Sequence, residues 1–358
     1  MSGAEPAAAG VTGVDAERLS TWLATRVPGL VPPLEVVPIV GGRSNLTSIV
    51  SDAEGRRFVV RRPPIHGVLP SAHDMGRESD IQRALSGTGV PVACIVDHEP
   101  DATVLGAPFY VMEHVAGRVL RDEQDAASVD PDERRAIGIG LVDTLLELHH
   151  VDPIAVGLGP GSERPYLLRQ LRTWSAQLEA LAADDDRRTG ALIALGARLI
   201  EVVPPQRTRC IVHGDYRLDN VMLGPGGRIA AILDWELWTI GDPLADLATL
   251  AVYWSQPEDP VLPLGDAATT LPGFPTRDEI VTRYAAGTDL PLDDLPTYLA
   301  FSTWRLATIL EGVLQRQRSG GYGGQEMRDG AGRPEWQRLV EVVPALTEQV
   351  ADRLRSLG

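Results

Sequence analysis

The sequence predicts an α+β fold in two parts, a small antiparallel sheet near the N-terminus followed by a larger, mainly helical region. Three apolar runs separated by turn residues predict the sheet: LEVVPIV from Leu34, LTSIVSD from Leu46 and RRFVVRR from Arg56. Beyond the sheet, apolar residues recur at helical spacing from Ile137 to Leu148 and in several later segments.

The remaining elements follow from strand and capping signals. PFYVMEHV, residues 108 to 115, predicts a fourth strand. We expect Ser71 to cap a helix that ends near Leu85 and Asp130 to cap another, while Thr276 and Glu279 form a capping box. Further helices are expected at Val14 to Thr25, Leu167 to Ala182, Arg188 to Val202, Asp246 to Trp254, Tyr298 to Gln315 and Trp336 to Leu357.

Composition limits the classes of partner. The chain has 358 residues, 44% of them hydrophobic, which is typical of a globular protein. Its 49 acidic residues against 33 lysines and arginines give a net charge of −16, which repels nucleic acids and anionic membranes. Cys94 and Cys210 are far apart and predict neither a disulfide framework nor a zinc cluster. No signal peptide or membrane span is visible, and we expect a cytoplasmic protein with neither nucleic acid nor membrane as partner.

The sheet-to-helix transition predicts three segments. Residues 1–33 form a tail with a short helix, and residues 34–115 form a sheet lobe. Residues 116–358 form a helical lobe, with the hinge at Ala116 and Gly117.

The segment from Cys210 to Asp246, CIVHGDYRLDNVMLGPGGRIAAILDWELWTIGDPLAD, carries the strongest functional pattern. Asp215 of the HGD sequence precedes Asn220 by five positions, and Asp234 follows a second apolar run. The glycines and proline of residues 224 to 227 predict a hairpin turn between the two runs. Folding back there is expected to bring Asn220 and Asp234 close together, with Asp215 on the preceding loop.

These side chains suit a magnesium ion and a phosphate. Magnesium prefers hard oxygen ligands and usually keeps phosphate oxygens in its shell. Asn220 offers an amide oxygen and Asp234 a carboxylate, while Asp215 is placed to orient or deprotonate an attacking hydroxyl. An aspartate five residues before an asparagine, with a later metal-binding aspartate, is the pattern of phosphoryl transfer in kinase-like sites.

A buried ion pair is expected in the sheet lobe. Glu78 shares a helical face with Met75, Ile81 and Leu85, so its carboxylate points toward apolar surroundings. A carboxylate in that position needs a cationic partner, because burying an uncompensated charge is costly. Arg61, at the end of the RRFVVRR strand, is the expected partner.

HGDxxxxN followed by IxDWE resembles the aminoglycoside phosphotransferase (choline-kinase-like) family more closely than the protein kinases, which carry HRD and DFG. The resemblance spans about residues 34 to 320. GGRSN, FVVRRPP and FYVMEHVAGRVL look most like the kinase-like segment of multidomain acyl-CoA dehydrogenases and of stand-alone actinobacterial relatives. The resemblance implies a protein-kinase-like two-lobe fold, with a small antiparallel β-sheet N-lobe and a mainly helical C-lobe.

The resemblance also implies roles for individual residues. Asp215 is the expected catalytic residue, and Asn220 and Asp234 are the expected Mg²⁺ ligands. Arg61 takes the place of the usual phosphate-binding lysine, a departure that puts nucleotide affinity in question; Arg62 is the alternative if the register shifts by one. The other expected cofactor-binding residues, for ATP with GTP left open, are Gly41, Gly42, Ser44 and Asn45 of the phosphate-covering turn, Glu78, and Glu113 and Val115 of the hinge.

Neighbouring polar residues are expected to support the site. His213, Asp242 and Asp246 are interpreted as braces for the loop rather than as chemical groups. Glu236 is either an aid to metal or substrate binding or an exposed strand-end residue. His149 with His150, at the end of a helix, is expected to interact with the helix dipole or solvent.

The expected reaction is transfer of the γ-phosphoryl group of ATP to a hydroxyl of a small molecule. The family's acceptors include aminoglycosides, choline-like amino alcohols, macrolides and hydroxyacyl-type acids. The helices of the second lobe and the loop at residues 256 to 275 are expected to shape the acceptor pocket. A catalytically silent pseudokinase or scaffold is the alternative, and a protein kinase is disfavoured because no APE-like end of an activation segment is visible. The sequence does not predict the oligomeric state.

Overall fold

The chain forms two compact units in a computed structural model that describes residues 13–39, 45–64, 74–181, 187–259, 267–318 and 335–357. The sheet unit comprises Met1–Gly117 and Ala230–Trp238, and the helical unit comprises Arg118–Ile229 and Thr239–Gly358. As a division by function, the segments 1–33, 34–115 and 116–358 stay a prediction.

An antiparallel sheet of five strands forms the β-structure of the sheet unit, in the order β1-β2-β3-β5-β4. This confirms the predicted small antiparallel sheet. The edge strand β4 was not predicted, because its sequence IVDHE ends in three polar residues and shows no apolar alternation. The strands are β1 (Glu35–Pro38), β2 (Leu46–Ser51), β3 (Arg57–Arg62), β4 (Ile95–Glu99) and β5 (Phe109–Glu113).

The two faces of β3 have different partners. Phe58 and Val60 are fully buried in an apolar cluster that includes Trp22 of the first helix, α1 (Ala16–Ala24). Arg62 alternates onto the same face, and its guanidinium donates to the carbonyl of Leu105 at 2.8 Å. Because side chains alternate along a strand, Arg61 lies on the opposite face. Arg61 and Arg62 therefore lie on opposite faces of β3, and the assignment of Arg61 as the phosphate-binding arginine stays a prediction.

The second helix begins later than expected. α2 spans Met75–Leu85, and its N-cap is Asp74, whose side chain accepts the backbone N–H of Arg77 at 2.9 Å. The assignment of Ser71 as the cap was wrong, and Ser71 itself lies outside the described residues. Serine and aspartate are both good caps, so sequence alone did not separate the two positions.

The helical unit confirms the predicted helices to within a few residues. It also contains a short helix, α3 (Glu123–Ala127), that was not predicted. No helix in the described ranges combines the length and apolar character needed to cross a membrane. The longer helices are α4 (Pro131–His150), α5 (Tyr166–Leu181), α6 (Arg187–Glu201), α7 (Leu244–Tyr253), α8 (Arg277–Ala286), α9 (Leu295–Arg318) and α10 (Glu335–Ser356).

Short strands flank the loop that carries the HGD sequence. β6 (Cys210–Val212) pairs antiparallel with β9 (Thr239–Gly241), and neither strand was predicted. The two strands of the predicted hairpin are present as β7 (Val221–Leu223) and β8 (Ile229–Ile232). The turn between them is closed by a hydrogen bond from the N–H of residue 224 to the carbonyl of residue 228, at 2.8 Å.

A glycine is required in this turn. Gly227 has a φ of 71°, a conformation that L side chains rarely adopt. A Cβ placed there would also lie 2.7 Å from a side-chain carbon of Ile137 on α4. The glycine therefore lets the turn pack closely against the helix.

The capping box of α8 is confirmed and gives a pH-dependent prediction. Glu279 accepts the guanidinium of Arg135 at 2.7 Å and the N–H of Thr276 at 2.7 Å. These hydrogen bonds lower the pKa of Glu279 from 4.5 to about 2. The pKa of Glu279 is lower in the folded state than in the unfolded state. The stability that its ionised carboxylate contributes is therefore present above pH 4.5 and is lost as the pH falls toward 2.

Urea denaturation of the wild-type protein and of Glu279→Gln, measured from pH 7 down to pH 2, tests this prediction. We expect the urea concentration at the unfolding midpoint to be higher for the wild type than for Glu279→Gln at neutral pH. The two midpoint concentrations should converge in acid. A difference that stays constant over the whole range would contradict the role of the ionised carboxylate.

Candidate functional site

A buried carboxylate anchors the loop that carries the HGD sequence. Asp246, in the first turn of α7, is fully buried. Its two oxygens accept the backbone N–H groups of His213 at 2.7 Å and Gly214 at 2.8 Å. The Nδ1 atom of His213 in turn accepts the N–H of Asp215 at 3.2 Å. The backbone of residues 213 to 215 is thereby fixed, as expected for braces of the loop.

His149 belongs to the same buried network. Its side chain is 5% exposed, with Nδ1 2.7 Å from the hydroxyl of Tyr284 and Nε2 3.3 Å from Asp246. The expectation that His149 faces the helix dipole or solvent was wrong, because tertiary packing of α8 against α4 encloses the ring. Burial by itself would raise the pKa of Asp246, but hydrogen bonds and charge from His149 and His213 hold that pKa below its ordinary value.

The two carboxylate oxygens of Asp215 have different environments. Oδ2 accepts the side-chain amide of Asn220 at 2.8 Å and the Nε–H of Arg217 at 3.1 Å. No hydrogen bond to Oδ1 comes from any residue that the structure describes. The Asp215 side chain is 22% exposed. One oxygen is therefore held in place, and the other is available to an incoming hydroxyl.

Arg217 is itself held by its surroundings. Its Nη1 atom lies 2.8 Å from a carboxylate oxygen of Asp219, and its guanidinium carbon lies 4.9 Å from the ring centroid of Tyr253. Burial by itself would lower the pKa of Arg217, but Asp215 and Asp219 raise it above its ordinary value. Arg217 therefore stays charged and contributes a rigid donor to Asp215.

The side-chain amide of Asn220, a predicted metal ligand, is held in one orientation. Its amide nitrogen donates to the carbonyl and to Oδ2 of Asp215, both at 2.8 Å. This fixes the orientation of the amide and leaves its oxygen, which accepts no hydrogen bond from the described residues, as a hard ligand for a divalent cation. Asn220 and Asp234 lie in different units, and their convergence stays a prediction.

The predicted partner of Glu78 in the sheet unit is confirmed. Arg61 Nε lies 2.8 Å from Glu78 Oε2, and the glutamate is 2% exposed. The same carboxylate accepts the amide of Asn45 at 2.9 Å and the hydroxyl of Tyr110 at 3.1 Å. Burial raises the pKa of Glu78 against the effect of Arg61, while the carboxylates and Tyr110 raise the pKa of Arg61 against burial.

Arg61 also contacts the predicted metal ligand Asp234. Its Nη2 atom donates to Asp234 Oδ1 and lies 3.9 Å from a carboxylate oxygen of Glu236. Asp234 has a φ of 61°, the left-handed region that non-glycine residues seldom occupy. Such conformations persist where the surroundings enforce them, and they concentrate at functional sites. The second oxygen of Asp234 accepts no hydrogen bond from the described residues.

The remaining predicted cofactor residues have less defined surroundings. Gly41, Gly42 and Ser44 lie outside the described residues. Glu113 ends β5, and its N–H donates to the carbonyl of Cys94 at 2.8 Å. Val115 follows in the irregular segment after β5 and is half-buried. In the described ranges, no group of three or more His, Cys, Asp or Glu side chains is arranged to hold a metal ion.

Sequence reasoning missed two residues of the helical unit. Arg217 lies two positions after Asp215 in the motif, and its basic character was a signal that was not used. Tyr253 lies more than 30 residues further along the chain, near the end of α7. Only the tertiary structure places its ring against Arg217.

This fold and these side chains define the class of kinase-like phosphotransferases, which confirms the predicted protein-kinase-like fold with a β-sheet part and a mainly helical part. A sequence model of the phosphotransferase enzyme family (APH) matches residues 35–280, and the chain belongs to this family.

Among curated relatives, acyl-CoA dehydrogenase family member 11 of Rattus norvegicus is 35% identical over 316 residues, which cover 86% of this chain and 40% of the relative. Family member 10 of Mus musculus is 36% identical over 297 residues, covering 80% of this chain and 27% of the relative. The chain thus spans two fifths or less of the length of these relatives.

Solved structures show the same fold. A Ralstonia eutropha protein that carries the provisional name aminoglycoside phosphotransferase has a TM-score of 0.75 and 30% identity, over 96% of this chain and 98% of that one. The GDP and kanamycin complex of APH(2")-IIia has a TM-score of 0.59 and 17% identity, over 93% of this chain and 98% of that one. The latter likeness concerns the fold alone.

The Arg61 ion pair gives a stability prediction. Arg61→Ala leaves the buried carboxylate of Glu78 without its cation, and we expect a loss of about 3–5 kcal/mol in the free energy of unfolding. Arg61→Lys keeps the charge without the fork that reaches both carboxylates, so we expect a smaller loss. Denaturant unfolding followed by circular dichroism measures both, with Arg57→Ala, an exposed arginine at the start of the same strand, as the matched control. Equal losses for Arg61→Ala and Arg57→Ala would contradict the role of the pair.

Proposed function

We propose that this protein is an ATP- and Mg²⁺-dependent kinase that transfers the γ-phosphoryl group to a hydroxyl of a small molecule. The observation that carries this proposal is the carboxylate of Asp215, held through one oxygen and free at the other. A group in that arrangement orients the acceptor hydroxyl through Oδ1. As the acceptor oxygen forms its bond to the γ-phosphorus, the bond between that phosphorus and the bridging oxygen breaks, and this oxygen leaves with ADP. The hydroxyl proton passes to Asp215.

Positioning and charge neutralisation carry most of the catalysis in phosphoryl transfer. Asn220 and Asp234 would hold magnesium through their side-chain oxygens, and the ion would neutralise charge on the phosphates. Arg61 is proposed to bind phosphate oxygens, with Glu78 fixing its direction. The Oδ1 atom of Asn45 is buried and accepts no hydrogen bond from the described residues. This unpaired acceptor supports the proposal that a nucleotide binds near Asn45. Gly41, Gly42 and Ser44 are proposed to cover the phosphates, and Glu113 and Val115 to receive the base through their backbone groups.

Related proteins indicate the classes of nucleotide and acceptor that the proposed kinase would use. Structures of related fold are described as complexes with ATP, ADP or GDP, which supports a nucleotide substrate without separating ATP from GTP. The small molecules named in those complexes include streptomycin and kanamycin, whereas the curated relatives are named for acyl-CoA chemistry. We therefore propose an aminoglycoside-like, amino alcohol or hydroxyacyl-type acceptor, and a cytoplasmic location.

A silent pseudokinase is the competing proposal, and Arg61 in place of lysine was its main support. The ion pair of Arg61 with Glu78 weakens that support, because the arginine keeps a charged, oriented group at the position expected for the lysine.

The test is a transfer assay with purified protein, ATP and Mg²⁺ against a library of antibiotics and hydroxylated metabolites, with the product identified by mass spectrometry. We expect a mass gain of one phosphoryl group that requires Mg²⁺ and is abolished by EDTA. Nucleotide binding in a thermal-shift assay, without turnover of ATP by any acceptor or by water, would favour the pseudokinase.

A further inference from the structure

Tyr253 of α7 presents a hydroxyl that the fold does not use. No described residue is hydrogen-bonded to that hydroxyl, although the ring is held beneath the guanidinium of Arg217. Burial raises the pKa of Tyr253 to about 12, and the nearby charge of Asp215 acts in the same direction. The hydroxyl therefore remains a hydrogen-bond donor at neutral pH.

Tyr253 lines a pocket of about 40 Å³ within the helical unit. The wall is mainly apolar and includes four buried side chains, those of Leu120, Leu218, Leu250 and Trp254. One water molecule needs about 10–15 Å³ of such space, so the pocket has room for a few water molecules or for one end of a ligand.

The pocket adjoins the catalytic carboxylate through Arg217. This arginine lines the pocket and also donates to Oδ2 of Asp215. Part of the opposite wall comes from Ala268 and Thr269, in the segment where the sequence predicted an acceptor-shaping loop. Arg217 thus connects the pocket wall to the carboxylate proposed to orient the acceptor hydroxyl.

The composition of the wall discriminates between acceptors. Arg121 and Arg217 are balanced by two carboxylates, because Arg217 is paired with Asp219 at 2.8 Å and with Asp215 at 3.1 Å. The wall therefore offers a polycation no net attraction, and an ammonium group placed against the apolar residues would lose its water without gaining a partner. An alcohol with an apolar chain contacts the apolar wall without that cost.

We propose that this pocket is the acceptor subsite, that Tyr253 donates a hydrogen bond to the acceptor, and that the subsite takes alcohols carried on an apolar chain in preference to polycationic aminoglycosides. The proposal rests on the proposed kinase function and deepens it. Tyr253 is a positioning residue for the acceptor, and Arg217 serves both the pocket and Asp215.

Three alcohols of equal chain length, 1-hexanol, 6-hydroxyhexanoate and 6-amino-1-hexanol, test the preference, with kanamycin as the polycation. We expect kcat/KM for the better of the first two to exceed that for 6-amino-1-hexanol and kanamycin by at least about tenfold. Tyr253→Phe is expected to raise KM for the preferred alcohol about 3- to 10-fold, the worth of one hydrogen bond, while KM for ATP stays the same.

The matched control is Tyr166→Phe, which removes the same atom from a buried tyrosine elsewhere in the helical unit and is expected to leave KM for the alcohol unchanged. Preference for kanamycin or 6-amino-1-hexanol, or an unchanged alcohol KM in Tyr253→Phe, would overturn the proposal.

A binding measurement separates failure of the subsite from failure of the kinase function. Saturation-transfer NMR detects 1-hexanol bound to the protein without turnover, and Ala268→Leu, which narrows the pocket, is expected to weaken that signal at least threefold. Binding with this response but without ATP turnover supports the subsite and contradicts the kinase function. ATP turnover without binding of 1-hexanol overturns the subsite alone.

Discussion

Replacing Asp215 by asparagine is expected to lower kcat by about 10²- to 10⁴-fold, the usual contribution of a positioned proton acceptor. Asparagine has the same shape, and its amide oxygen can still accept the hydrogen bonds that Asn220 and Arg217 direct at Oδ2. The atom at the Oδ1 position then becomes an NH₂ group, which donates rather than accepts and cannot take a proton from the acceptor hydroxyl. The loss should therefore fall on kcat, with KM for ATP little changed.

Steady-state kinetics with the acceptor found in the library screen measures this effect, and thermal unfolding checks that the variant is folded. Asp132→Asn is the matched control, because Asp132 is an exposed aspartate in the first turn of α4 of the same unit. It should retain full activity. If Asp215→Asn kept more than a tenth of wild-type kcat while folded, the assignment of Asp215 as the catalytic residue would be wrong.

The parts of the fold that sequence predicted are those set by local chemistry. Asp130 before a proline and Thr276 before Glu279 give helix starts that depend on neighbouring residues alone, and both caps are present. The buried position of Glu78 followed from helical spacing, and the need for a cation then identified Arg61. In that case the cost of burying a charge predicted a contact between residues 17 positions apart.

The parts that sequence did not predict depend on tertiary contacts. The sequence around His149 indicates only a helix end, because Asp246 and Tyr284, which enclose its ring, lie about 100 or more residues further along the chain. β4 pairs with β5 through backbone groups, so its polar side chains give no sign of the strand. The contact between the ring of Tyr253 and Arg217 likewise depends on the tertiary fold and leaves no signal in the local sequence.

Hydrogen bonds support the HGD loop on both sides of Asp215, the proposed catalytic residue. Asp246 fixes the backbone of His213 and Gly214 before it, and Asn220, further along the chain, fixes the side chain of Asp215 itself. Both supports are hydrogen bonds to a carboxylate, which are stronger than those between neutral groups. The position of Asp215 should therefore be sensitive to Asp246 even though the two side chains make no direct hydrogen bond in the described structure.

Replacing Asp246 by alanine is expected to lower the free energy of unfolding by about 3–5 kcal/mol, because it leaves two backbone N–H groups and the ring of His149 buried without their acceptor. Asp246→Asn keeps the shape and one acceptor oxygen, so its loss should be smaller. Guanidinium chloride unfolding at pH 7, followed by circular dichroism, measures both, with Asp278→Ala, an exposed aspartate in the first turn of α8, as the control.

The pH dependence of the loss tests its cause. The pKa of Asp246 is lowered in the folded protein, so the stability that its charge contributes is fully present above the ordinary value of 3.8 and is lost as the pH falls through the lower folded value. The difference between wild type and Asp246→Asn should therefore hold from pH 7 to pH 5 and shrink only in stronger acid. A difference that already disappears near pH 6 would instead point to protonation of a histidine as the controlling event, and the anchoring role of the ionised carboxylate would have to be abandoned.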